Sequence, residues 1–337
     1  MSWTVVPASA FAVHAARWQR LHASGPASPL LAPEFVSAAL DIFGRGKELL
    51  AWYGQGEDTE AMAVLTPGCA GAWATFQPPQ APVGFWLQRG LGSPAPYLPS
   101  LLQALPGIAW MASLTQCDPL LQARPADDAG LRTLDYIQTA RITLTDDFDS
   151  YWNGRGKNLR ANLKKQRNRL RQDGLTTGLE VLRAPEAMAA AVGDYGRLEG
   201  SGWKASQGTA VAADNAQGRF YRTLLERFAR RGAASVYRYR IGGKLVAMDL
   251  CIEGGGCVVV LKTAYDEGVG GQLSPALLMR EEACREIFEN GRTQRIEFYG
   301  RVMDWHLRWT DEVRTMYHLN AYRWPFLRRL HARGRLR

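Results

Sequence analysis

No stretch of this chain approaches the roughly 18 uninterrupted apolar residues of a membrane-spanning helix, so no transmembrane segment is expected. Cysteine is sparse: Cys69, Cys117, Cys251, Cys257 and Cys284 are odd in number and scattered. No two share CxxC spacing, which supports neither a disulfide framework nor a zinc site. His306 and His318 lack ligand-like spacing, so no metal is expected. The first residues, Met1-Ser2-Trp3-Thr4-Val5-Val6-Pro7, carry no basic region before a long apolar core, and a secretory signal is not expected. These absences read as a reducing, cytoplasmic setting. Acidic residues are missing from two segments. Residues 155–171 hold 8 basic and no acidic side chains, and residues 323–337 hold 6 and none, whereas residues 1–150 hold 8 basic and 13 acidic. The formal net charge of +9 thus comes from two short stretches, and such focusing points to an anionic partner.

What is present is enough for a substantial core. The chain has 337 residues, 46% of them hydrophobic, with 11 Trp, the scale of two ordinary domains or one large one. The first half reads as an α+β unit, with strands expected at 48–53, 61–66, 72–77, 108–114 and 136–144 and helices at 33–43 and 97–105. A Pro- and Gly-rich loop spans 78–99 with Phe85 and Trp86 inside it, the kind of long loop that is often functional or mobile. The second half opens with helices. Asp149 is a candidate cap, and a basic helix is expected over 157–172, ending at Asp173-Gly174. Helices at 185–198 and 215–231 follow, then strands at 235–241 and 245–252 joined by Gly242-Gly243, a strong hairpin signal. A buried-type strand at 258–265, a helix at 275–289, a strand at 295–299 and an extended segment at 313–323 complete an α/β order with a mixed sheet.

The most informative part is the passage from that strand into the helix after it. Strand 258–265 runs through Asp266-Glu267-Gly268-Val269-Gly270-Gly271-Gln272-Leu273 into Ser274-Pro275-Ala276-Leu277-Leu278. A helix N-terminus has four backbone N–H groups without intrahelical partners and about half a positive charge, a ready phosphate site. Ser274 can cap it, and Pro275 fits its first position. A capped surface helix after an ordinary loop is the plainer alternative.

This order resembles the GNAT acyltransferase domain over residues 140–325, and further motifs agree in sequence. Phe148-Asp149-Ser150-Tyr151-Trp152 with the basic helix resembles the opening of a branch that contains acetyltransferase-like proteins associated with bacterial cellulose biosynthesis, similar to Fem-type peptidyltransferases. Glu199 with Gly200-Ser201-Gly202-Trp203-Lys204 resembles its glutamate-plus-WK motif, Asp266 with 274–278 its loop–helix signature, and Phe298-Tyr299-Gly300 with Asp304, Trp305 and Trp309 its C-terminal motif. The chain departs from the usual phosphate loop: Gly271 stands where Gln or Arg is common and Ala276 where the branch often has Gly, which leaves backbone donors to serve. The resemblance implies a GNAT-like mixed sheet flanked by helices. It also implies two such halves in tandem: 1–145, a degenerate copy, and 146–325, the acyltransferase domain, before a basic tail at 326–337.

It further implies a co-substrate, acetyl-CoA or another acyl-CoA, held by Val260, Leu261, Lys262, Gly271, Gln272, Leu273, Ser274, Ala276 and Leu277, with a strand backbone N–H polarising the thioester carbonyl. Glu199 is the first candidate base. Tyr265 is a candidate proton donor to the thiolate, and Asp304 a candidate in the acceptor pocket. Trp203, Lys204, Asp266, Tyr299 and Trp305 are candidate substrate contacts. Arg160, Lys164, Arg167 and Arg171 fall within an arc of about 60° at about 100° per residue, beside a stripe of Leu159, Leu163 and Leu170 that would dock the helix. That basic arc is a candidate anion site for coenzyme A phosphates, a tRNA, an acidic membrane surface or another protein. Three functions follow: an acyl-CoA-dependent N-acyltransferase acting on a small-molecule or sugar amine, an aminoacyl-tRNA-dependent Fem-type transferase, and a non-catalytic binding protein of polysaccharide or envelope synthesis.

Overall fold

A computed structural model describes residues 1–56, 58–200, 211–212, 214–269 and 273–332. The chain forms two compact units, Met1–Thr139 with Arg314–Arg337, and Ala140–Val313. In the first unit β1 (Trp3–Pro7), α1 (Phe11–Ala23), α2 (Pro33–Phe43), β2 (Leu49–Tyr53), β3 (Ala61–Pro67), β4 (Ala72–Thr75), β5 (Trp86–Gln88), α3 (Leu98–Ala104) and β6 (Met111–Cys117) follow in order. Strand β1 pairs with β2, β2 with β3 and β3 with β4, all antiparallel; β4 runs parallel to β6. Trp3, Trp73, Trp86, Leu98, Leu101 and Leu114 share its core.

β7 (Leu131–Thr143) then leads into the second unit: α4 (Phe148–Asn153), α5 (Lys157–Gln172), β8 (Thr177–Leu182), α6 (Pro185–Gly200), α7 (Ala216–Ala229), β9 (Ala234–Ile241), β10 (Lys244–Gly254), β11 (Cys257–Tyr265), α8 (Pro275–Glu289), β12 (Arg295–Phe298) and α9 (Asp304–Leu307). The chain continues with β13 (Val313–Tyr322) and α10 (Pro325–Ala332). Pairings β8–β9, β9–β10 and β10–β11 are antiparallel, β11–β12 is parallel, and the 140–143 end of β7 closes the sheet antiparallel to β12. The β9–β10 turn is built by Gly242 and Gly243 at φ 56° and 79°, left-handed values that favour glycine. Helix α5 buries Leu159, Leu163, Gln166 and Leu170, the i, i+4, i+7, i+11 stripe of an amphipathic helix. Those leucines join Leu278, Met279, Ala283 and Ile287 of α8 over Tyr237, Tyr239, Val258 and Ile296 of the strands.

The two units repeat one ladder: three antiparallel pairings, one parallel pairing bridged by a helix, and one antiparallel closing strand. A parallel pair needs a long crossover, and α3 and α8 supply it. The closing strands are exchanged along the chain. β7 follows β6 yet its end closes the second unit, and β13 follows β12 yet pairs with β6 in the first. The 313–323 segment, expected with the second half, therefore belongs to the first sheet. The α/β fold in two tandem halves is as expected.

Several local expectations are corrected. Asp147, not Asp149, caps α4, accepting from Ser150 N–H at 2.8 Å. The expected 78–99 loop contains β5, and its Phe85 and Trp86 are fully buried. Strands β1 and β8 and helix α1 were not foreseen. Ser274 does not cap α8 with its side chain.

The exchange predicts that residues 1–139 alone, with β6 deprived of its closing partner, aggregate or melt without cooperativity. Appending residues 314–332 through a flexible linker restores a monomer with a sharp thermal transition, as read by size exclusion and circular dichroism.

Candidate functional site

Strand β11 pairs with β10 along its length but with β12 only from Cys257 to Val260. The β10–β11 register slips between Leu250 and Cys251, opposite Lys262 and Val260, so Leu261 is an extra residue, a β-bulge. The bulge reverses which residues face which side. Before it, Val258 and Val260 lie with the α8 core. After it, Thr263 turns to α8 while Lys262 turns to α6, since successive strand side chains face opposite ways.

On the α8 side a cavity of about 570 Å³ lies between the free end of β11 (Thr263, Tyr265), the first turn of α8 (Ser274 to Leu277) and Trp305, Arg308 and Trp309. Arg280 forms part of its lining although only 3% exposed. One of its nitrogens meets Asp249 Oδ2 at 2.6 Å and another donates to Thr263 Oγ1 at 3.2 Å, while Thr263 donates to Asp249 Oδ1 at 2.6 Å. Its guanidinium lies 5.2 Å from the Phe298 ring centroid and 6.0 Å from that of Trp305. Desolvation works against the Arg280 charge, but the adjacent Asp249 carboxylate outweighs it and the guanidinium stays charged. His306, buried and stacked on Trp305 at 3.6 Å, accepts from Met303 N–H at 3.0 Å. Burial, with Arg280 nearby, pushes its imidazole down to about 4, so it is neutral at neutral pH.

Helix α5 fixes the N-terminus of α8. Buried Gln166 accepts from Ser274 N–H at 2.7 Å and donates to Asn162 Oδ1 at 3.0 Å. Arg167 bonds Glu281 at 2.8 Å and Glu282 at 2.6 Å. The expected four-residue basic arc is therefore split. Arg167 turns into α8, because its acidic partners lie more than a hundred residues away in sequence where no local pattern could show them. Arg160 donates to Arg155 O at 3.1 Å, and Lys164 and Arg171 stand exposed.

On the opposite face of β11, Glu199 is buried at the end of α6. Its Oε1 meets Lys262 Nζ at 3.2 Å and the Tyr195 hydroxyl at 3.4 Å, and its Oε2 accepts from Val211 N–H at 2.8 Å. Lys262 lies 5.8 Å from the Tyr221 ring centroid. Glu199 and the cavity are thus on the two sides of one strand.

The remaining candidates divide. Leu273, Ser274, Ala276, Leu277, Tyr265, Asp266 and Trp305 line the cavity together. Asp266 also bonds Lys244 at 2.6 Å, and that ammonium holds its carboxyl below the usual range. Val260, Leu261 and Lys262 are the strand at the bulge. Asp304 is exposed at the start of α9, and Tyr299 is half-buried just after β12. Trp203, Lys204, Gly271 and Gln272 lie outside the described residues. Sequence reasoning missed Arg280, Asp249, Thr263 and Gln166. One signal was there: Asp249 interrupts the apolar run Leu245-Val246-Ala247-Met248…Leu250-Cys251-Ile252, and a carboxylate in a central strand demands a buried partner.

Residues 157–307 match the family model for an acetyltransferase (GNAT) domain. No curated protein matches the sequence. Among solved structures, FemX superposes with a TM-score of 0.59 at 10% identity over 98% of this chain and 100% of that one. The C-terminal domain of a putative lysylphosphatidylglycerol synthetase from Agrobacterium fabrum gives a TM-score of 0.51 at 16% identity, covering 84% and 87%. A conserved protein of unknown function from Bacteroides thetaiotaomicron gives 0.51 at 11% identity, covering 95% and 99%. These likenesses are of fold. The family match covers β11, the cavity wall of α8 and Trp305, so the stretch that matches an acetyltransferase (GNAT) domain is the one that carries the candidate site, which supports an acyltransferase enzyme.

Proposed function

We propose that the second unit transfers an acyl group from a coenzyme A thioester to an amine, with the donor in the cavity beside β11 and its diphosphate at the first turn of α8. The observation that carries this reading is the parting of β11 from β12 after Val260, directly beside that helix N-terminus and a cavity of about 570 Å³. Past the bulge, one row of β11 backbone groups is released from the ladder, and an N–H there can polarise the thioester carbonyl as charge builds on its oxygen. The amine nitrogen attacks the carbonyl carbon, the C–S bond breaks, the thiolate takes up a proton, and the nitrogen gives one up. Tyr265, 45% exposed at the cavity mouth, is the donor we assign to the thiolate. Glu199, reached from the other face of the strand, is the acceptor we assign for the amine proton, directly or through water. Holding both reactants against one strand supplies much of the rate through proximity. The motif order of Glu199, 274–278 and 298–300 supports a likeness to the cellulose-associated branch.

A second reading, an aminoacyl-tRNA donor as in Fem-type transferases, is favoured by Lys164, Lys165 and Arg171 standing exposed on α5. It predicts a salt-sensitive gel shift with aminoacyl-tRNA, since each phosphate neutralised releases counterions. No shift at low salt removes it.

Calorimetry with acetyl-CoA should show saturable binding to the purified protein; none would overturn the donor assignment. Ala276→Glu places a carboxylate in the first turn of α8, where it favours the helix but repels phosphate. We expect acetyl-CoA binding to weaken about tenfold or more, roughly 1.4 kcal/mol, with the melting temperature unchanged or raised. Glu199→Gln should lower kcat about a hundredfold while leaving acetyl-CoA affinity within about twofold. Equal loss of both assigns Glu199 a structural role.

A further inference from the structure

We propose that α10 and the residue before it form a docking surface for an anionic phospholipid bilayer, a contact separate from the acyl-transfer site. Leu327 and His331 hold the helix to the first unit: Leu327 is 9% exposed, and His331 Nδ1 lies 2.7 Å from the Tyr322 hydroxyl. Arg328 turns the same way, bonding Asp127 at 3.2 Å. At about 100° per residue, Phe326 and Arg329 turn away from that docked side and are exposed, while Leu330 stays within about 60° of Leu327 and is half-buried. Phe326 is 57% exposed and Trp324 41%, and their rings stack at 6.2 Å with 20° between planes. The Arg323 guanidinium sits 5.4 Å from the Trp324 ring centroid. Two large aromatic rings held together in water are costly to expose, and nothing in the acyl-transfer reading uses them.

Charge decides the occupant. The segment 323–337 carries six arginines and no acidic residue, in a unit whose first 139 residues have more acidic than basic side chains. Arg329, three residues on from Phe326, is exposed, and Arg333, Arg335 and Arg337 follow in sequence. Protein interfaces also combine aromatic rings with arginine, but a run of cations with no acidic residue beside exposed rings fits a surface of uniform negative charge, an anionic bilayer. Such a bilayer takes aromatic rings at headgroup depth and arginines against the phosphates, the composition of an interfacial helix. A nucleic acid would take the same arginines and stack bases on the rings, and the test below separates it from a bilayer.

The test is flotation of the full chain with phosphatidylserine–phosphatidylcholine vesicles against phosphatidylcholine alone, at low and high salt. Binding is expected to the anionic vesicles and to fall with salt. Arg329→Glu should weaken it about fivefold or more, the change expected for one cation near a charged bilayer. Trp324→Ala with Phe326→Ala should weaken it about tenfold or more, by removing the apolar half of the contact. Both changes are at exposed positions, and acetyl-CoA binding should be unaltered in each, which keeps this test distinct from that of the donor site. Equal binding to neutral vesicles, indifference to the aromatic double substitution, or binding to RNA with none to vesicles would each overturn the proposal.

Discussion

A strand inside a sheet satisfies its N–H and C=O groups from both neighbours, and β11 does so only as far as Val260. One extra residue, Leu261, bends the strand away from β12 while the β10 side of the ladder continues to Tyr265. Everything proposed for the chemistry depends on that local accounting. It leaves a row of backbone groups beside a cavity, and it turns consecutive side chains to opposite faces, Thr263 toward the donor side and Lys262 toward Glu199. Without the inserted residue Lys262 would take the place of Thr263, and the pairings to Arg280 and Glu199 would both be lost.

The helix that meets this strand is held unusually firmly. Gln166 secures the amide of Ser274, Arg167 secures Glu281 and Glu282, and Arg280 is locked to Asp249 and Thr263. A buried ion pair of this kind adds little net stability, but losing either member leaves an uncompensated charge at about 3–5 kcal/mol. Its effect here is positional. It ties the second turn of α8 to the free end of β11, so the helix N-terminus and the strand keep one spacing, as orienting a reactant demands.

The first unit repeats the ladder with a different connection across its parallel pair. There β4 and β6 are the parallel pair, but the connection between them folds back as β5 and brings Phe85 and Trp86 into the interior. Gly84 donates to Thr115 O at 3.0 Å, and Thr115 Oγ1 meets Thr75 Oγ1 at 2.8 Å. A Cβ on Gly84 would collide with both threonines, so only glycine allows the close approach. The same topology folds its connection back into the core in one unit and lines a cavity of about 570 Å³ in the other.

Local chemistry made much of this legible in the residues alone. The leucine spacing of α5, Pro275 and Asn290 around α8, and Gly242-Gly243 between β9 and β10 fix helix and hairpin within a few residues, because each acts through contacts no farther than a turn. The motif around Ser274 was legible too, but the cap expected of its side chain does not form, and Gln166, 108 residues away, accepts from its amide instead. Strand β8 fully buries none of its side chains, so no apolar alternation marks it, whereas helix α1 carries a helical stripe of Phe11, Trp18, Leu21 and His22. Tertiary structure alone decided that the end of β7 closes the second unit while β13 pairs in the first, that Arg167 faces acid rather than solvent, and that Asp249 finds Arg280. Each of these joins residues far apart in the chain, and the free energy that selects them comes from burial and pairing that exist only once the sheets have assembled.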